Sequence, residues 1–234
     1  MNDLLLAGQP IQIDFFYIHP WKLKDIINPK NEYYQNLFLF FLRKEDLPFS
    51  EDLLKNMEGY NVFDLIRVGA IWGKAFQEQF LKALNMFTQE DFIFIDGNFK
   101  LNEHILTHEH WEKIKTILAE ENYLDLNKLK PEEEEYNLAN SKAAEFRKRA
   151  AETRRLVEKY KKKKEVTLGF LINRFCAKSP NLNLLNVWDL TFYQFKQQFD
   201  AILSIEQYDF NMTALLQGRL DTKKQKIVHW TENN

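Results

Sequence analysis

The first patterned stretch, Ile11-Gln12-Ile13-Asp14-Phe15-Phe16-Tyr17-Ile18, begins with apolar and polar residues in alternation and is rich in β-formers. It predicts a short strand or hairpin with its turn near Asp14. His19-Pro20 ends it, because proline lacks a ladder donor and biases the residue before it toward extended geometry. Trp21 to Ile27 then predicts a helical turn that stops before Asn28-Pro29. Apolar residues at 34, 37, 38, 41 and 42 put helical spacing on Asn31 to Arg43. Ser50 is placed to cap a helix with acids in its first turn. Apolar positions 62, 65, 66, 72, 76, 80, 81, 84 and 87 predict helices broken or bent near Gly69 and Gly73.

Further along, Phe92-Ile93-Phe94-Ile95, Asp96-Gly97-Asn98 and Phe99-Lys100-Leu101 read as a β-hairpin, since Asp-Gly and Gly-Asn pairs adopt the positive φ of hairpin turns. Thr107 is placed to cap a helix whose Trp111, Ile114, Ile117 and Leu118 share one stripe. Leu168, Leu171, Ile172 and Phe175 make another stripe, ending near Ser179-Pro180. Asn186 with Asp189 resembles a capping arrangement. Trp188, Phe192, Phe195, Phe199, Ile202 and Leu203 then fall at helical spacing, and Tyr208 to Leu216 reads as a short further helix.

The fold class these patterns imply is mainly α, with short strands confined to the first half. Three parts are expected: an α+β lobe over 1–128, a charged helical connector over 129–165 and a helical lobe over 166–234. The connector rests on composition. Lys130 to Lys164 holds 12 Lys and Arg and 7 Glu, acids first (Glu132 to Glu135) and bases last (Lys161 to Lys164). That order complements a helix dipole and fits a long exposed helix. Its sparse apolar residues form no sustained heptads.

Charge and cysteine content narrow the classes of function. Across 234 residues, 32 Lys and Arg against 34 Asp and Glu leave a net charge of −2, so no whole-surface grip on nucleic acid is expected. The local candidate is Arg147, Lys148, Arg149, Arg154, Arg155 and Lys161 to Lys164. Interleaved glutamates and a lone Tyr160 argue against it, because single-stranded nucleic acid needs aromatic platforms. A single cysteine excludes an internal disulfide framework and multi-cysteine metal sites. The apolar run Leu4 to Ala7 lacks a positive n-region, and the longest aromatic run, Leu37 to Leu42, is too short to span a bilayer. A reduced, soluble, intracellular protein is expected.

Catalytic signals are thin. No Gly-rich phosphate loop, nucleophile elbow, zinc-protease helix or EF-hand loop occurs in the sequence. His104, His108 and His110 lie among Glu103 and Glu109, but His108 and His110 are about 200° apart on a helix and do not converge. They read as surface histidines near a helix cap. Cys176 sits beside Phe175 without a sequence-adjacent base and reads as a core residue. Glu132 to Glu135 reads as a solvated helix start. Neither a catalytic residue, a metal site nor a cofactor is expected.

The aromatic excess is more informative. Trp188, Phe192, Tyr193, Phe195 and Phe199 cover a wide arc of one helix, which must be deeply buried or pressed against a partner. Composition and motifs alone assign no function. The stretch from Asn181 to Phe195, followed by Gln198-Phe199, Tyr208-Asp209, Leu215-Leu216-Gln217-Gly218 and His229-Trp230, resembles tail assembly chaperones and chaperone-like tail proteins of phages and prophages of Gram-positive bacteria. The first half looks alike too, in its short strand, His19-Pro20, Leu23-Lys24-Asp25-Ile26, Phe99, Thr107 and Ile114-Lys115-x-Ile117. The resemblance implies a non-enzymatic assembly factor in the host cytoplasm. Its partner would be the helical tape-measure protein or another tail protein, with possible self-association and no membrane. Candidate contacts are Trp188, Phe192, Phe195 and Phe199. The rival readings are a structural tail or adaptor component of the virion, and a regulatory factor that contacts nucleic acid through the basic connector.

Overall fold

The structure, a computed structural model, describes residues 2–47, 49–126, 167–219 and 227–232. The chain divides into two compact units: residues 1–125 with 185–234, and residues 126–184. The segment after 185 groups with the first half of the chain, where the sequence reading drew a boundary at 166. The expected helix over 130–164, with its basic cluster, lies outside the described residues.

In the larger unit, α1 (Asn2–Leu6) precedes an antiparallel hairpin of β1 (Ile11–Ile13) and β2 (Phe16–Ile18), in register Ile11 to Ile18 and Ile13 to Phe16. Asp14 takes φ 47° at its turn, where the alternation predicted it. Both strands bury their isoleucines and Phe16 and expose Gln12 and Tyr17. After α2 (Leu23–Ile26) comes α3 (Tyr33–Phe38), which tightens into a 3-10 turn over Leu39–Phe41. Next is α4 (Glu51–Asn56), where the Ser50 hydroxyl accepts the Leu53 N–H as its sequence position implied.

The helical run that follows breaks once, not twice. The first helix, α5 (Val62–Trp72), runs through Gly69, and α6 (Lys74–Thr88) begins after Gly73, which is extended at φ −131° and ψ 104°. Gly69 serves packing instead of bending. A Cβ there would lie 3.0 Å from Cε1 of Phe76, so the missing side chain lets the two helices close on each other. The second sheet has the order β3 (Ile93–Ile95), β4 (Asn98–Leu101), β5 (His104–Ile105), all antiparallel. Its first turn is the Asp96-Gly97 pair, both at positive φ. The two-residue third strand carries too little pattern to be read from sequence.

Helix α7 (His108–Glu121) starts with Thr107 accepting the His110 N–H, and buries Trp111, Ile114, Ile117 and Leu118. The Trp111 indole is the centre of the core. Phe40 stacks on it at 4.8 Å, Phe63 at 5.6 Å, and Phe80 tilts against it at 5.3 Å. Much of the phenylalanine excess is thus spent on one aromatic cluster drawn from several elements, where offset and edge contacts add to area burial.

In the smaller unit, α8 (Leu168–Lys178) is capped by Thr167, buries Ile172 and Phe175, and places Arg174 over the Phe170 ring. Beyond Leu185, a 3-10 turn (Val187–Asp189) leads into α9 (Phe192–Leu216). Tyr208 to Leu216 continues this helix without a break, so the further helix expected there is its last turns. The architecture is mainly α with small antiparallel sheets. No helix among the described residues is long and apolar enough to cross a membrane.

Candidate interaction surface

The start of α9 is built by local and long-range bonds together. Asn186 does not cap the 3-10 turn; the cap that forms lies five residues later. Thr191 accepts the Gln194 N–H, and Gln194 Oε1 accepts the Thr191 N–H. The same Gln194 donates through Nε2 to the Leu6 carbonyl of α1. Leu23 N–H donates to the Leu190 carbonyl at 2.8 Å, and Lys22 and Thr191 form an antiparallel bridge. Lys24 closes the joint with an ion pair to Asp189 at 2.7 Å. The last part of the chain is therefore knitted into the first.

This joint decides the fate of the candidate contact residues. Phe195 is 2% exposed, and Phe192 packs against the main core with Tyr193 inside it. The Tyr193 ring lies 5.4 Å from that of Tyr123, whose face also receives Lys196. Phe195 is thus buried within the chain and Phe192 is half-buried against the main core. Trp188 and Phe199 are half-buried. Sequence spacing placed these rings on one face but could not say that Tyr193 enters the main core with Phe192 packed against it.

The exposed apolar side chains lie farther along. Leu203, Phe210 and Leu216 are 48%, 69% and 83% exposed on the distal half of α9. Leu203 and Phe210, seven residues apart, fall within about 20° of each other around the axis. From Ala201 to Gly218 the helix end carries Glu206 and Asp209 and no lysine or arginine. The closing segment reaches back to this helix, with the His229 ring edge-on to Tyr208 at 4.8 Å.

The ionisable candidates do not assemble into a site. His110 binds Asp14 through Nε2 at 2.9 Å and the Thr107 cap through Nδ1, while His104 stacks on Phe15 at 4.7 Å. Lys113 also reaches Asp14 at 3.0 Å and holds that carboxyl below its ordinary range. A shallow groove between β1 and α7 has His108, Glu109, Glu112 and Lys113 in its wall, but these belong to one helix face and share it with Gln12 and Thr116. Partial burial pushes the Cys176 thiol up, away from the thiolate that nucleophilic chemistry needs. No group of three metal-ligating side chains gathers among the described residues.

A carboxyl group is deeply buried. Glu121, at the end of α7, is 1% exposed; its Oε1 accepts the Trp21 N–H at 3.0 Å, and its Oε2 has no protein partner among the described residues. Burial raises its carboxyl to about 8. Nearby Tyr33 donates to Asn122 Oδ1 and is pushed far up by burial and by Glu121. Nothing in the sequence around Glu121 distinguishes it from the exposed glutamates of the same helix.

The class defined by these features is a mainly α chain with a buried aromatic core and an exposed apolar helix end. Residues 161–234 match the family model described as "YomV second domain", a phage-associated family. The match takes in α8, the Trp188 turn and α9. No curated protein and no solved structure matches the chain.

Proposed function

We propose that this chain is a phage tail assembly chaperone-like protein. It binds a tail structural protein, the tape measure first among candidates, in the host cytoplasm during assembly, and catalyses no reaction. The observation that carries the reading is the distal half of α9, where Leu203 and Phe210 are offered to solvent on one helix face, in a stretch from Ala201 to Gly218 without lysine or arginine. Such a face suits the apolar stripe of an amphipathic helix with basic flanks. The match of residues 161–234 to a phage-associated family supports the same setting.

The test is co-expression with the neighbouring tail genes followed by pull-down. The parent chain should retain and solubilise a tape-measure protein. The exposed-site variant Leu203→Ser/Phe210→Ser should stay folded yet retain at least about tenfold less. Failure of the parent chain to retain any tape-measure protein, or equal capture by the variant, would refute the proposal. Finding the chain in finished particles would favour the structural-component reading instead.

A further inference from the structure

The segment that leads into α2 is held at alternate main-chain amides. His19 N–H donates to the Phe87 carbonyl at 2.9 Å, Trp21 N–H to Oε1 of Glu121 at 3.0 Å, and Leu23 N–H to the Leu190 carbonyl at 2.8 Å. The two outer acceptors are carbonyls, which do not titrate; the middle one is a carboxyl. It comes from the last residue of α7 and is 1% exposed. Its Oε2 and the Trp21 indole Nε1 are both buried without a protein partner among the described residues. An ionised Glu121 would thus find one main-chain donor and no cation, which is costly away from water. Tyr33 of α3 faces it as a neutral phenol that donates to Asn122 Oδ1. Of the two sides of this contact, α7 is fixed by the buried Trp111, Ile114, Ile117 and Leu118, whereas Trp21 is partly exposed and follows Pro20.

We infer that Glu121 is a proton-controlled clasp: when its carboxyl ionises, the Trp21 segment lifts from the end of α7 and loosens the start of α9 with it. The link to α9 is short. Lys22 bridges to Thr191, Leu23 bonds Leu190, and Lys24 pairs with Asp189 at 2.7 Å, all within three residues of Trp21. Burial raises the carboxyl to about 8 in the closed chain, and it returns toward its ordinary 4.5 once wetted. The open form therefore gains about tenfold in population per pH unit between those values. The clasp is firm below about pH 4.5 and weakens as pH rises toward 8. The ion pair at the joint stays charged through this window, since pairing lowers Asp189 and raises Lys24. His19, also titratable, lies on the segment itself, and the Glu121→Gln variant separates its effect.

Native-state hydrogen exchange of the full chain, followed from about pH 5 to 8 and corrected for intrinsic rates, tests the clasp. The amides to read are Trp21, Leu23 and Phe195, the last donating to the Thr191 carbonyl in the first turn of α9. Their protection should fall about tenfold per pH unit, while staying below that of core amides in α6 and insensitive to low urea, the mark of local opening. Glu121→Gln should remove the slope and leave the far-ultraviolet circular dichroism unchanged. The parent chain decides the matter even where the variant folds poorly. Trp21 and Leu23 amides as well protected as the α6 core, or protected equally at every pH, overturn the inference. So does a slope that survives in Glu121→Gln. A Phe195 amide that stays closed while Trp21 and Leu23 open refutes the link to α9. The inference concerns how α9 is anchored and does not rest on the partner proposed for its distal half.

Discussion

Replacing Glu121 by glutamine isolates the contribution of one buried carboxyl. In the unfolded chain this glutamate titrates near 4.5, and in the folded chain burial carries it to about 8. Between those values the folded state holds a proton that the unfolded state has lost. Stability contributed by the neutral form is therefore complete below about pH 4.5 and declines as pH rises toward 8. The slope is about 1.4 kcal/mol per pH unit, and the whole interval amounts to about 5 kcal/mol. That is comparable to the entire stability of a marginal domain. Glutamine keeps the oxygen that accepts the Trp21 N–H and cannot ionise. Urea unfolding followed by tryptophan fluorescence, at several pH values for both proteins, gives the difference directly. The curves should lie close near pH 5 and diverge toward pH 8, with the variant the more stable. Asp14, Asp46 and Asp189 are all lowered, so the stability they add is lost only as pH falls through the acid range, outside this window. Tyr33 is displaced upward and titrates above it. Parallel profiles for the two proteins would refute the burial argument.

Thr191→Ala removes the cap of α9 and should cost about 1 kcal/mol in urea unfolding, with Thr191→Ser restoring most of it. Trp111→Ala leaves Phe40, Phe63 and Phe80 facing a void; it should cost about 3–5 kcal/mol and flatten the near-ultraviolet circular dichroism even where the chain still folds.

The sequence by itself determined whatever depends on a few consecutive residues. Ser50 and Thr107 cap helices because a hydroxyl reaches an amide three residues on, and Asp14 and Asp96-Gly97 turn hairpins because short polar residues and glycine tolerate positive φ. The stripes through Trp111 and Phe175 were legible for the same reason: helical periodicity is local. Gly69 and Gly73 look alike in one dimension, and only the Phe76 ring against Gly69 separates a packing glycine from a breaking one. Asn186 looked like a cap, but Thr191 became it, because its strand-like geometry is enforced by pairing with Lys22. Along the same helix Phe195 is buried while Leu203 and Phe210 stay exposed, a difference the shared helical spacing does not show. Glu121 became a raised acid because the folded chain buries it, a shift that the Trp21 N–H, a hundred positions away, only partly offsets. Burial and field are sums over neighbours brought together by the whole chain, so tertiary structure alone decides which of several similar residues is core, cap, surface or titrating group.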